Sequence, residues 1–562
     1  MKRILIFVAL LVAASLTNAQ DIAGDWQGTI AAGGQELRLV LHITKAADGA
    51  LKATLDSVDQ GANGIPVSSI TFTDAKLSLG IDAVHGTYEG KLAADGSISG
   101  TWTQGSAVPL DFKRATAPIK TEHKPAKPSD IDGAWMGSLD LGAMKLRVVF
   151  HIVNTEDGLI STMDSPDQGQ SNLPTTSTTR NGTSLKIEMK AIAGAFEGKI
   201  AADLQSIDGT FTQMGSPHPL LLKRVKDQAE LELKRPQNPV KPYPYREEEV
   251  SYENKLQNVT LAATLTIPQG NGPFPAVVLI TGSGPQDRDE SLLGHKPFLV
   301  LSDYLTRHGI AVLRADDRGT AKSTGIFATA TTADFATDTE AGIAYLKTRA
   351  EVDPHKIGLI GHSEGGVIAP MVAARSKDVA FIVMMAGTGV PGDQILVAQG
   401  EAIQLANGKS PAEAAKDAAK EKEMLTLVET EKDSAVLEKE LKEKMAGDVP
   451  DAQIGAQIKQ ITSPWFRYFL TYDPATALRK LTCPVLAING ELDKQVLPKQ
   501  NLPPIRKALE DSGNKHYEVD ELPSLNHLFQ TAKTGAPSEY AEIEETMSPV
   551  ALEKMSTWIL QQ

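Results

Sequence analysis

A single cysteine, Cys483, stands among the 562 residues, so no intramolecular disulfide can close and no cysteine-based metal site can assemble. Its place beside an apolar run makes it a small core filler. The eleven histidines show no metal-ligand spacing, and no glycine-rich loop ends in lysine; neither a metal nor a nucleotide cofactor is expected. Basic residues are in the minority. Net charge is −14, with no basic cluster beyond Lys2-Arg3, and such a chain repels phosphate backbones, so nucleic acid is not an expected partner. No apolar run reaches the roughly 18 residues that cross a bilayer. Aromatic residues make up only 5%, which makes any local concentration of them informative.

What is present is globular in kind, with 41% hydrophobic and 22% charged residues, in a chain too long for one core. Basic Lys2-Arg3, an apolar stretch from Ile4 to Leu16 and the small Ala19 before Gln20 read as an export signal over 1–19, implying a periplasmic or extracellular protein with no membrane span once the signal is removed. No cysteine lies near the cleavage point, so a lipid anchor is not expected there.

The next 200 residues repeat. Gly24-Asp25-Trp26-Gln27-Gly28 returns as Gly133-Ala134-Trp135-Met136-Gly137, and Leu37 to Ile43 returns as Leu146 to Ile152. A period of about 109 residues exceeds any solenoid unit, so each copy, 21–115 and 130–225, is expected to be a small domain or half of one. Strand-length alternation with short turns such as Ala47-Asp48-Gly49 predicts antiparallel sheets curled into barrels or sandwiches. Gly-x-Trp-x-Gly is faintly lipocalin-like. Trp26 and Trp135 read as core plugs, with ligand stacking as the alternative; His42 and His151 read as sheet-face residues rather than ligands. Proline-bearing linkers, 116–129 and 226–244, separate the copies from each other and from residues 245–562.

In that last region, Gly361-His362-Ser363-Glu364-Gly365 lies between the apolar run Ile357–Ile360 and a helix-like stretch from Val367. A turn this tight strains the serine backbone and holds its hydroxyl in the open. The Glu364 amide falls at a helix N-terminus, where free N–H groups favour a developing oxyanion. An acid, Asp493, follows the strand Pro484–Gly490, and His527 lies in a loop past the strand near Tyr517–Val519. Serine, acid and histidine in this order supply a nucleophile, the residue that orients its base, and the base itself. Short apolar runs at Ala276–Ile280, Ile310–Leu313, Ile357–Ile360, Ala380–Met385 and Val485–Ile488 alternate with helical stretches such as Asp334–Thr348, predicting a doubly wound, mostly parallel α/β sheet. Residues 391–479 form an insertion. Ser410-Pro411-Ala412-Glu413 starts a helix and Ala414 to Met445 continues it, a helical cap over the strand ends. Near its end Trp465-Phe466-Arg467-Tyr468 gathers aromatic residues that could wall a pocket or pack the cap onto the core.

Residues 245–562, with Gly282-Ser283-Gly284-Pro285, Asp316-Asp317-Arg318-Gly319 and Gly490-Glu491-Leu492-Asp493 beside the elbow, resemble the α/β-hydrolases of the esterase and serine-aminopeptidase-like group. The resemblance implies a catalytic set of Ser363, Asp493 and His527, an oxyanion hole from the amides of Glu364 and Ser283 (Gly284 being the alternative), and no cofactor. Thr281 departs from the group, which often has histidine there. Hydrolysis of a small-molecule carboxylic ester through an acyl-enzyme is the expected activity. An aminopeptidase or amidase on the same residues, with Glu364 or Glu491 as an amine anchor, is the second reading, and a binding protein built on the repeats the third. Arg318 and Glu364 are expected to make structural contacts at the rim of the site.

Overall fold

The computed structural model describes residues 22–562 except 33–34, 46–50, 59–61, 82–85, 94, 105, 116–123, 125, 142–144, 169, 228–230 and 232–233. The signal-like stretch 1–19, the Ala47–Gly49 turn and most of the first linker lie outside the described residues. Among the described residues no helix is long and apolar enough to cross a membrane.

Each repeat is a nine-stranded antiparallel sheet in which strands adjacent in sequence pair, except the fourth with the fifth, and in which the first strand also pairs with the last. In the first copy Trp26 lies opposite Arg114; in the second, Trp135 lies opposite Arg224. The first-to-last pairing curls each sheet and leaves the fourth and fifth strands of the copy as its two edges. Alternation decides what faces inward: Leu39, Leu41 and Ile43 are buried while Arg38 is exposed. Tyr88, Phe112, Phe150 and Phe196 fill the two interiors. The tryptophans plug the barrel ends. Trp26 and Trp135 donate their indole N–H groups to the carbonyls of Ile22 and Ile131 at 2.9 Å, and Arg114 and Arg224 lie 4.6 and 4.4 Å over their rings. His42 meets Asp56 at 2.9 Å and His151 meets Asp164 at 2.7 Å, so both histidines tie adjacent strands together.

The remaining sheet has eight strands, which we number β1 (Arg246–Asn254), β2 (Val259–Ile267), β3 (Phe274–Ile280), β4 (Ala311–Ala315), β5 (Val352–His362), β6 (Phe381–Met385), β7 (Val485–Gly490) and β8 (Tyr517–Leu522). Their order across the sheet is β1-β2-β4-β3-β5-β6-β7-β8. Only β1 and β2 run antiparallel to their neighbours; β3 to β8 pair in parallel. This is the α/β-hydrolase arrangement. Helices α1 (Pro297–Arg307), α2 (Thr332–Leu346) and α3 (Gly365–Ala373) follow strands, and apolar clusters fill both faces of the sheet, which is why β6 and β7 read as unbroken hydrophobic runs.

Between β6 and β7 run α4 (Gly392–Ala406), α5 (Pro411–Thr430), α6 (Ser434–Met445), α7 (Asp451–Ile461), α8 (Pro464–Thr471) and the short α9 (Ala475–Leu478), the first and fifth of which reach the cavity at the strand ends. The helix expected from Ala414 to Met445 is two helices. Asp433 accepts from the amides of Ala435 and Val436 at 2.9 and 3.1 Å, and this N-cap starts α6 after a three-residue break.

The second barrel is docked on the sheet domain. Leu146 packs with Leu293, Leu528 and Tyr540 in one apolar cluster, and Arg235 donates to the carbonyls of Leu293 and Ala541 at 2.7 and 3.1 Å. The second linker is held down as well: the Gln237 carbonyl oxygen accepts from Met547 N–H at 3.0 Å, and its amide donates to Met547 O at 2.7 Å.

Candidate active site

Ser363 sits between β5 and α3 with φ of +53°, a left-handed backbone that costs a non-glycine residue roughly 1–3 kcal/mol. The fold enforces it: Ser363 N–H donates to Met385 O at 2.8 Å, and Ser363 O accepts from Gly366 N–H at 2.9 Å. Both flanking glycines are required by contact. A Cβ on Gly361 would lie 1.9 Å from Gly365 O, and one on Gly365 would lie 2.1 Å from Ile280 O. Gly361→Ala is therefore expected to lose about 3 kcal/mol of stability, read as a lower urea midpoint at unchanged slope.

Glu364 is the N-cap residue of α3, so its amide is one of the orphan donors of a helix start. Glu364, Ser283, Ser363 and His527 line one cavity of about 410 Å³. His527 Nδ1 lies 2.8 Å from Asp493 Oδ2, and both side chains are buried. The other Asp493 oxygen accepts from the amides of Gln495 and Val496, each at 2.8 Å. Ser363 and His527 line the same cavity, with no direct hydrogen bond between hydroxyl and ring.

The loop after β3, which carries Ser283, is anchored from below. Thr281 Oγ1 donates to Asp317 at 2.8 Å and Gln286 N–H donates to the other Asp317 oxygen at 2.9 Å. Burial pushes the Asp317 carboxyl up to about 8, against the pull of those donors. The histidine often found at position 281 is thus replaced by an anchor. Gly284 adopts φ of +98° to turn the chain away and lines a separate small cavity with Asp317 and Glu364.

Trp465 and Phe466, with Phe469 of the same helix, wall the main cavity. Tyr468 does not; it stacks on Tyr472 with centroids 5.5 Å apart, because the helical turn carries it off the arc shared by 465, 466 and 469. The buried Glu364 carboxylate accepts from Thr332 Oγ1 at 2.7 Å and from Trp465 Nε1 at 2.8 Å, and the Ser283 hydroxyl also hydrogen-bonds it. Burial raises its pKa above the carboxylate norm while those donors oppose the rise. Core, Ser283 loop and cap thus meet on one side chain. Arg318 is buried on Asp338 at 2.7 Å and on Asp334 O at 3.0 Å, a structural contact away from the cavity.

Two residues that the sequence left unmarked join this site. Glu290 Oε1 accepts from Gly282 N–H at 2.8 Å and meets His362 Nδ1 at 2.9 Å. His362 Nε2 in turn faces the backbone oxygen of His527 at 3.0 Å. Glu290 lies 72 residues from His362, a separation with no local pattern to reveal it.

Residues 257–513 match the family described as X-Pro dipeptidyl-peptidase (S15 family). Among solved structures, the Pyrococcus furiosus esterase Pf2001 aligns at 16% identity with a TM-score of 0.36, covering 59% of this chain and 98% of that one. Est1E from Butyrivibrio proteoclasticus, solved with ferulic acid bound, aligns at 18% identity with a TM-score of 0.33, covering 56% and 98%. Esterase EstD of Thermotoga maritima is 30% identical over 294 residues, an alignment covering 52% of this chain and 63% of that esterase's length, so the likeness spans less than two thirds of the relative.

Proposed function

We propose that this chain is an exported serine hydrolase that cleaves small carboxylic esters. The observation that carries the reading is the convergence of a strained, open Ser363 and the buried His527–Asp493 pair on one cavity rimmed by a helix N-terminus. Ser363 Oγ attacks the ester carbonyl while His527 Nε2 takes its proton, and Asp493 holds the ring in the required tautomer. The amides of Glu364 and Ser283 receive the oxyanion. His527 then protonates the departing alkoxide, and water repeats the sequence to free the acid.

Ester rather than aminopeptidase chemistry is supported by how the acids of the site are used. Glu364 already accepts from Thr332, Trp465 and Ser283, and Glu290 from Gly282 while it contacts His362. Glu491 accepts from Ser524 N–H at 2.9 Å and is not among the cavity's lining residues. A substrate ammonium would have to compete with these donors, whereas Ile395, Leu396, Trp465 and Phe469 offer an apolar wall for an acyl or aryl group. The name of the Thermotoga maritima relative points the same way, and the description of the S15 family points to the peptidase alternative. The test is parallel assay of p-nitrophenyl acyl esters and aminoacyl p-nitroanilides. Ester turnover with anilide turnover at background is expected; the reverse would replace this reading with the peptidase one.

A further inference from the structure

We propose that Glu290 and His362 form a buried carboxylate–imidazolium pair that locks the oxyanion loop and the His527 loop to the serine elbow, a positioning dyad for the reaction at Ser363. The inference rests on the ester-hydrolase reading for its catalytic consequence, but not for the protonation state it assigns.

Three contacts carry it. Glu290 Oε1 receives Gly282 N–H at 2.8 Å, which fixes the residue next to Ser283. The same oxygen meets His362 Nδ1 at 2.9 Å, and His362 Nε2 meets His527 O at 3.0 Å. Neutral imidazole has one N–H and one lone pair, so against two oxygen acceptors it satisfies one contact and sets lone pair against lone pair at the other. The imidazolium donates to both. His362 and Glu290 are each only 6% exposed, and a buried charge persists only when it is paired and hydrogen-bonded. Here each is.

The groups facing His362 agree in sign. Glu290 lies against it from the loop before α1, Asp493 is the second nearby carboxylate, from the loop after β7, and the His527 ring lies 4.9 Å away from the loop after β8. Phe529 closes the remaining side edge-on at 6.5 Å. Burial disfavours the charged ring, yet the two carboxylates and the His527 carbonyl raise its pKa above the ordinary histidine value. Glu290 also has φ of +52°, a left-handed backbone that is costly for a non-glycine residue.

A histidine raised in this way is charged below its folded pKa, so the lock is released as pH rises through that value. Asp317, pushed up to about 8 below the same loop, gains charge in the alkaline range too, so an alkaline fall in rate alone would not assign the effect. The direct experiment is 15N–1H correlation of the histidine rings in the whole protein at pH 7, with the His362 signal identified by its loss in His362→Gln. Both His362 nitrogens should appear protonated, and in Glu290→Gln one of them should lose its proton. A neutral His362 ring in the wild-type protein, with the shared proton on Glu290 instead, would overturn the assignment.

The catalytic half has its own readout. Glu290→Gln keeps an acceptor for Gly282 but removes the charge that holds His362, and is expected to lower ester kcat by about 10²-fold with KM within about twofold, the size of a small misplacement of reacting groups. Unchanged kcat in this variant would remove the positioning role. If the wild-type protein neither turned over esters nor labelled Ser363 with a fluorophosphonate, the ester reading would fail while the ring spectrum still decided the charge state.

Discussion

Ser363→Ala is expected to reduce ester kcat by 10³- to 10⁶-fold, the range set by removing a nucleophile from a proton-relay site whose amides and pocket stay in place. The structural work at this position is done by the backbone: Ser363 N–H on Met385 O and Ser363 O under Gly366 N–H both persist in alanine. The left-handed φ of +53° is as unfavourable for alanine as for serine, so stability should stay within about 0.5 kcal/mol. Loss of turnover with an unchanged melting temperature therefore isolates chemistry from folding. Substrate should still bind, seen as protection of Trp465 fluorescence from quenching on adding an ester to the inert variant. Full ester turnover in Ser363→Ala would end the proposed mechanism, because no second hydroxyl sits on this elbow.

The α/β sheet was legible because its signals are local. Continuous apolar runs such as Phe381–Met385 and Val485–Ile488 are buried on both faces, and a strand buried twice has no reason to alternate. The repeats were legible for the opposite reason: alternation along Leu37–Ile43 marks one face in and one out. The elbow showed itself through glycines that contact demands at 361 and 365. The break between α5 and α6 was written in Asp433 but outweighed by the helix propensity of the Ala, Glu, Lys and Leu around it. Pocket membership was hidden from the start, since Trp465 and Tyr468 differ only in rotation about one short helix. Glu290 was hidden more deeply. Its partners Gly282, His362 and, through His362, His527 come from three loops, and only the sheet order brings those loops together. The same holds for Leu146, which reaches the neighbour of His527 from another domain.

Asp493→Asn separates geometry from charge more finely than any other change at this site. One Asp493 oxygen caps the turn by accepting from Gln495 and Val496 at 2.8 Å, and the other meets His527 Nδ1 at 2.8 Å. Asparagine keeps the first role with its carbonyl oxygen, so the turn and the fold survive. Its NH2 group then falls opposite Nδ1, where only a lone pair is welcome. The imidazole proton is driven to Nε2, the atom that must accept from Ser363, and the base is blocked in the wrong tautomer. A fall in kcat of about 10⁴-fold is expected, with KM little changed and the urea midpoint close to wild type. Asp493→Ala should differ in kind: it frees the same histidine but strips the turn of its acceptor, leaving buried amides unpaired at about 1–3 kcal/mol, so its midpoint must drop as its rate does. Equal stability of the two variants would show that the turn does not depend on this carboxylate. Wild-type kcat in Asp493→Asn would show that His527 is oriented by something other than Asp493, and the serine–histidine–aspartate assignment would have to give way.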